Sequence, residues 1–386
     1  MRNSFVYIDN ACTTWPKPEA VYAAVVDAMK IGANPGRASH RMSKQAEQIV
    51  ESARIELCRM FNAPSPEHVI FTLNCTDSLN MTLKGILKPG GQVIVGPYEH
   101  NSVLRPLRRL QRSGVNLAIA RSAGEFGIDC QHFEYLCSQG VDAAVFAHAS
   151  NVTGAVLPVR DLAEQVHRRG GLVIVDAAQT AGKLPIDMRE MGIDVLAIPG
   201  HKGLLGPMGT GALLLGRDLP VLPLREGGTG FKSEGEDQPE ELPWRLESGT
   251  PNFPGIAGLL AGIRFIQAEG LSRIARHETG LARALVAGLG EIDGVRLLCC
   301  QEPQTGVVSF LLDACHVGET AKAMDQVYGI GIRAGLHCSP LAHRTLGTFP
   351  EGALRASFGY FNNYSHVERL IAAVRDLASK DKLGLR

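Results

Sequence analysis

The apolar run Leu172 to Val175 ends on Asp176, and His201-Lys202 follows inside Gly200-His-Lys-Gly-Leu-Leu-Gly-Pro-Met-Gly-Thr-Gly. A carboxylate at the end of a buried strand and a lysine in a glycine-rich turn form a particular pair. The amine can form a Schiff base with an aldehyde. The carboxylate can keep a pyridine nitrogen protonated, so that the ring acts as an electron sink; that is pyridoxal phosphate chemistry. A lysine is ordinarily a solvated surface charge, and an aspartate at a strand end is ordinarily a helix N-cap. The setting of Lys202 argues otherwise. Four glycines crowd the ten residues after it, as close backbone approach requires. The preceding Val195-Leu-Ala-Ile-Pro199 is apolar, so the amine emerges from a buried strand, where burial lowers its pKa and makes it nucleophilic.

Three further groups fit the same chemistry. Ala177 and Ala178 leave room for a flat ring, with Gln179 placed to meet its hydroxyl. Asn74-Cys75-Thr76-Asp77 opens a helix, whose free N–H groups at Cys75 and Thr76, with the Thr76 hydroxyl, suit a phosphate. Arg333-Ala-Gly-Leu-His337-Cys338-Ser carries a cysteine beside cationic neighbours in a loop expected to be accessible. Positive neighbours raise the thiolate fraction. The remaining eight cysteines read as small buried hydrophobes.

These groups need a scaffold. From about Ser65, short β-rich runs (68–73, 92–95, 115–120, 143–147, 172–175) alternate with helical stretches (78–87, 103–111, 159–169). Continuous apolar strands between helices predict an α/β fold with a mostly parallel, doubly wound sheet, whose ligands sit beyond the strands' carboxyl ends. Residues 225–244 are rich in Gly, Glu and Pro without periodicity and read as a long loop. Helices over 256–268 and 271–289, a strand over 307–312 and a helix over 365–379 predict a smaller α+β domain. The expected division is a large domain over 15–265 and a small one over 1–14 and 266–386, with the N-terminal arm entering as a strand.

Composition narrows the class further. The chain has 386 residues, 45% hydrophobic and 20% charged, enough for a large core. Its 39 basic and 39 acidic side chains cancel, which speaks against a nucleic-acid or membrane partner. No stretch reads as a membrane span or signal peptide. Nine scattered cysteines form no disulfide framework, and Cys299-Cys300 lacks the histidines of a metal site, so a reduced, cytoplasmic setting and no metal are expected.

Taken in order from Tyr7-Ile-Asp-Asn-Ala to about Val374, the motifs resemble the class V aminotransferase fold and, more narrowly, the cysteine desulfurases. The resemblance implies a fold type I, pyridoxal 5′-phosphate-dependent homodimer with its cofactor between the two domains. It implies that His100 of Glu99-His100-Asn101 stacks on the ring and relays protons, and that Asn151 of Ser150-Asn151-Val-Thr-Gly reaches the ring hydroxyl. His201 is a phosphate ligand in that reading, and Glu247-Ser-Gly249-Thr250 reaches the partner subunit's phosphate. Arg355 holds the substrate carboxylate, with Arg333 and Asn34 as further active-site residues. Cys338 takes the place of the persulfide-forming cysteine, so that L-cysteine becomes L-alanine. About a dozen and a half residues separate Cys338 from Arg355, which resembles the short-loop branch that passes sulfur to an acceptor protein.

One position departs from the family pattern. Pro199 stands where a Ser or Thr hydroxyl usually binds the phosphate. Selenocysteine lyase, an ordinary class V aminotransferase and a non-catalytic relative remain alternatives at this level. So do the destinations of the sulfur, among them iron–sulfur assembly, RNA thiolation and selenium supply.

Overall fold

The computed structural model describes residues 5–124, 126–313 and 315–382. Its larger sheet has seven strands: β1 (Val69–Thr72), β2 (Gln92–Val95), β3 (Asn116–Ile119), β4 (Ala143–Ala147), β5 (Leu172–Asp176), β6 (Val195–Pro199) and β7 (Gly211–Leu215). Their spatial order is β1-β7-β6-β5-β4-β2-β3, and all run parallel except β7, which is antiparallel to both neighbours. The doubly wound architecture expected from the alternating pattern is present.

The alternation is physical. Along β6, Val195 and Ala197 enter the apolar cluster on one face, while Leu196 and Ile198 enter the cluster on the other. A strand buried on both faces needs apolar residues at every position, which is why these runs are continuous. Helices Cys75–Ile86 and Asn101–Arg112 cover one face; helix Phe253–Glu269 and the C-terminal turn of helix Arg41–Phe61 cover the other.

A second sheet contains β8 (Val295–Leu297), β9 (Val307–Leu312), β10 (Arg333–Gly335) and β11 (Ala353–Ser357), antiparallel in the order β8-β9-β11-β10. Its core takes residues from helices Leu271–Gly290 and Tyr364–Lys382, together with Val6 and Ile8. Val6–Tyr7 pairs in parallel with Ile330–Gly331. The first four residues of the arm lie outside the described residues.

The structure adds elements that the periodicity did not reveal. Helices Glu19–Ile31 and Arg41–Phe61 occupy the stretch before Ser65. The first is preceded by Pro18 without a side-chain cap, and it exposes Tyr22, Val26 and Met29, so its apolar pattern does not read as one core-facing stripe. Residues 225–244 hold neither helix nor strand, as expected.

Lys183 joins the two halves. Its Nζ donates to Glu278 Oε2 at 2.7 Å and to the Phe358 carbonyl at 3.3 Å, with Lys183 6% and Glu278 4% exposed. A buried pair adds little over an apolar one, but breaking it strands a charge. Lys183→Met is expected to cost about 3–5 kcal/mol in urea unfolding. The double variant Lys183→Met/Glu278→Leu should recover most of that loss.

Candidate active site

Five parallel strands deliver the site. β1, β2, β4, β5 and β6 end at one edge, and the segments leaving them line a cavity of about 220 Å³ containing Cys75, Thr76, His100, Asn151, Asp176, Gln179, His201, Lys202, Arg333 and Arg355. Most of the residues singled out from the sequence therefore meet in one place.

Asp176, 4% exposed, closes β5. Its Oδ1 accepts from the Ala178 N–H at 2.9 Å and from Cys75 Sγ at 3.2 Å. Burial and the Asp176 charge push the Cys75 thiol well up, so Cys75 stays a protonated donor to that carboxylate. Lys202 keeps some accessible surface, yet its ammonium lies within the protein. Desolvation lowers its pKa, and Asp176 opposes that shift. The turn carrying it packs against the turn at Gly182, whose φ is +77°. A Cβ on Gly203 would run into the Ala181 carbonyl, so glycine is what lets the two backbones meet.

His100 caps helix Asn101–Arg112: the Ser102 N–H donates to its Nδ1 at 3.0 Å. In the neutral ring the proton therefore sits on Nε2. Burial, helped by Lys202, Arg333 and Arg105 and opposed by Asp176, lowers its pKa to about 4. The Ser102 hydroxyl links His100 Nδ1, at 2.8 Å, to Thr76 Oγ1, at 2.7 Å. Pro199 lines the same cavity without a donor, which leaves Thr76 and Ser102 as the hydroxyls of the helix-start wall.

Arg355 is 1% exposed. It donates through Nη2 to Asp9 at 2.8 Å and through Nη1 to the Asn151 carbonyl at 3.0 Å, while its buried Nε has no partner among the described residues. Strand register sets Arg333 directly across from Arg355. Like charges across a pair of strands repel, and an unpaired donor beside them favours an anion such as a carboxylate.

Cys338 is exposed, on a loop between β10 and helix Pro340–Thr345. His337 and Cys338 both adopt left-handed backbone, with φ of 50° and 57°, a conformation that costs a side-chain-bearing residue about 1–3 kcal/mol. The surroundings hold it. The Asn101 N–H donates to the Cys338 carbonyl at 2.8 Å. Asn151 donates to the His337 carbonyl at 2.7 Å and accepts from Ser339 Oγ at 2.6 Å. Arg333 Nη2 lies 3.6 Å from Cys338 Sγ.

Three expectations need correction or qualification. His337 supplies no positive charge to Cys338: it is buried against His343, and desolvation lowers its pKa to about 2. The cationic neighbour seen is Arg333. Asn34 does not line the Lys202 cavity, and neither do Gly249 and Thr250, which are expected to reach the partner subunit's phosphate rather than this one. Asn34 Nδ2 donates to Thr250 Oγ1 at 3.3 Å, and Gly249 and Thr250 line a separate groove with Arg37 and Arg54. Glu247, held by Arg54 at 3.0 Å and the Phe71 N–H at 2.6 Å, fixes that segment. Asn151 lines the cavity, but its amide is engaged with the cysteine loop rather than free.

Cys12 escaped the sequence reading. It lines the cavity, and its Sγ lies 3.5 Å from Arg333 Nη1, so one guanidinium touches two thiols. Only the adjacent Asp9-Asn10-Ala11 marked this segment, and no spacing linked it to Arg333.

The cavity suits pyridoxal phosphate by its donor set. A desolvated amine, a buried carboxylate, a helix start with free N–H groups and the unpartnered Arg355 Nε surround one small space.

The family described as "Aminotransferase class-V" matches residues 6–370. A "Probable cysteine desulfurase" from Methanothermobacter thermautotrophicus is 32% identical over 97% of this chain and 94% of its own length. One from Pyrococcus abyssi is 33% identical over 96% and 94%. The solved apo structure of a cysteine desulfurase from Thermococcus onnurineus superposes with a TM-score of 0.91 at 32% identity, covering 97% of this chain and 95% of that one. The Escherichia coli cysteine desulfurase CsdA gives a TM-score of 0.87 at 29% identity, with 98% and 96% covered.

Buried neutral histidines make stability depend on pH. Burial holds His148 neutral down to about 4, against 6.5 for a free histidine. Between these values the unfolded chain binds the proton and the folded chain does not. The stability is fully present above the free value and falls as pH drops through the window. Urea midpoints should fall from pH 6.5 to 4.5, and His148→Gln should remove about one proton from that slope.

Proposed function

Since the chain belongs to the class V aminotransferase family, we propose that it is a pyridoxal 5′-phosphate-dependent cysteine desulfurase, converting L-cysteine to L-alanine and leaving sulfur on Cys338. The observation that carries this reading is Arg333, which lines the Lys202 cavity and also touches Cys338 Sγ. A nucleophilic thiol thus stands at the mouth of an amine–carboxylate site.

When bound, the cofactor supplies an electron sink that acidifies the substrate's α-carbon. Asp176 would hold the proton of the ring nitrogen, with Gln179 and Asn151 near the ring hydroxyl. The helix start at Cys75 and Thr76, with Ser102 and His201, would hold the phosphate. Lys202 Nζ would hold the aldehyde covalently and, once released by substrate, move the α-proton; its lowered pKa keeps the amine available as a base. Arg355, oriented by Asp9, would bind the substrate carboxylate through its free Nε, with Arg333 beside it. His100 Nε2 would relay protons at the ring face. Cys338 thiolate attacks the substrate sulfur: the new S–S bond forms as the carbon–sulfur bond breaks, and the released fragment takes protons to become alanine.

The proposal includes a homodimer, an acceptor for the sulfur and a cytosolic location. Tyr22, Val26 and Met29 are exposed at 42%, 49% and 66% on one face of helix Glu19–Ile31, a surface suited to a second copy. Across such an interface Asn34, Gly249 and Thr250 would serve the partner's site. Cys12, Cys58, Cys75, Cys130, Cys137 and Cys338 are free, as in reducing cytosol, and no helix among the described residues is long and apolar enough to cross a membrane. The division at 15–265 against 1–14 with 266–386 is supported by the separate apolar core that includes Val6 and Ile8.

The deciding measurement is alanine and sulfide release from L-cysteine with a thiol reductant. Wild type is expected to give equimolar products. Cys338→Ala should lose at least about a hundredfold in rate, and Lys202→Ala should lose both products and the cofactor's visible absorption. Alanine release only from L-selenocysteine would make the protein a selenocysteine lyase. Dependence on a keto acid would make it an aminotransferase.

A further inference from the structure

A second concavity, of about 350 Å³, lies beside the cysteine loop. One wall is helix Asn101–Arg112, which contributes Arg105, Arg108, Arg109 and Arg112; the other is Pro340, Leu341 and Arg344, immediately after Cys338. The two walls are joined at the nucleophile, since the Asn101 N–H donates to the Cys338 carbonyl at 2.8 Å.

All five arginines are exposed, and among the described residues none is paired with a carboxylate. Arg108 donates to Gln111 at 2.9 Å, and Arg344 lies 4.6 Å from the centre of the Phe349 ring. The helix places its four at i, i+3, i+4 and i+7, on one face, where like charges repel. The helix dipole favours Arg109 and Arg112 in the last turn. It does not account for Arg105, or for Arg344 on another element. Because the whole chain is balanced at 39 basic and 39 acidic residues, this excess is local.

We propose that this groove docks an acidic segment of the protein that takes sulfur from Cys338. The inference rests on the desulfurase reading and names the acceptor's chemistry. Carboxylates on the segment would pair with the guanidiniums and bring an acceptor cysteine to the exposed loop. The acceptor thiol loses its proton to solvent, and its thiolate attacks the outer sulfur of the Cys338 persulfide. The bond from that sulfur to Cys338 Sγ breaks, Cys338 leaves as thiolate beside Arg333, and the acceptor holds the persulfide. No outside oxidant or reductant is needed. A nucleic acid fits less well, because no aromatic side chain among the described residues lines the groove to stack on a base.

The test uses the holoenzyme and a triple variant, Arg108→Glu/Arg109→Glu/Arg112→Glu. Alanine release from L-cysteine is driven by peptides with one cysteine flanked by glutamates, glycines or lysines, and by dithiothreitol. Each peptide's rate is normalised to its intrinsic reaction with a small disulfide. Wild type should use the glutamate peptide about tenfold faster than the glycine peptide at low salt, an advantage lost at high salt. The triple variant should reverse the order in favour of lysine while dithiothreitol-driven release is unchanged, which also shows that it folds. Equal use of glutamate and glycine peptides by wild type overturns the proposal, as does a variant that keeps the preference. Suppression of the glutamate-peptide rate by short single-stranded RNA, with no charge preference among peptides, would make the groove a nucleic-acid site and overturn it too. Absence of dithiothreitol-driven release in wild type would instead sink the desulfurase reading.

Discussion

A carboxylate and an amine have to share a dry cleft without neutralising each other's purpose. Desolvation lowers the Lys202 pKa, and the nearby Asp176 charge opposes it, so the geometry between them decides how available the amine is. Two donors, the Ala178 N–H and Cys75 Sγ, are spent on the same Asp176 oxygen and fix its orientation. The scaffold serves this pair. Strands β5 and β6 are neighbours, so their carboxyl ends place the two groups side by side, and glycines 182 and 203 let the turn bearing Lys202 settle against the β5 side of the cleft.

Cys338 follows β10 of the second sheet, but residues from segments leaving the seven-stranded sheet set its position. Asn151 and Asn101, from the segments after β4 and β2, hold the backbone on either side of Cys338 and maintain two left-handed residues that would otherwise relax. Arg355 extends the same network by donating to the Asn151 carbonyl and to Asp9 of the N-terminal arm. Arg355 and the cysteine loop therefore share a support. A change at Asn151 would reach both, which makes single-residue roles there difficult to separate.

Much of the fold was legible because its signals are local. Continuous apolar runs marked β1 to β6 to within a residue or two at each end. The glycine-rich turn marked Lys202, and the residue closing a run marked Asp176. Residues before Ser65 were not legible. Helix Glu19–Ile31 exposes part of its apolar face, and a surface awaiting a partner blurs the periodicity that identifies a helix within one chain.

The sequence by itself determined the sheet, the amine–carboxylate pair and the candidacy of Cys338, since each rests on neighbours along the chain. Tertiary structure decided what depends on distance and burial. It made His337 neutral, because burial against His343 removes the water that a charged ring needs. It set Arg333 across from Arg355 through strand register, and it brought the distant Cys12 to the same guanidinium because the N-terminal arm pairs beside Ile330–Gly331. It gathered four helical arginines and Arg344 around one groove beside Cys338, a charge excess that a balanced composition conceals. It also put Gly249 and Thr250 in a groove apart from Lys202, with Asn34 bonded to Thr250, because a motif specifies a residue's type but only the folded path specifies which cavity it faces.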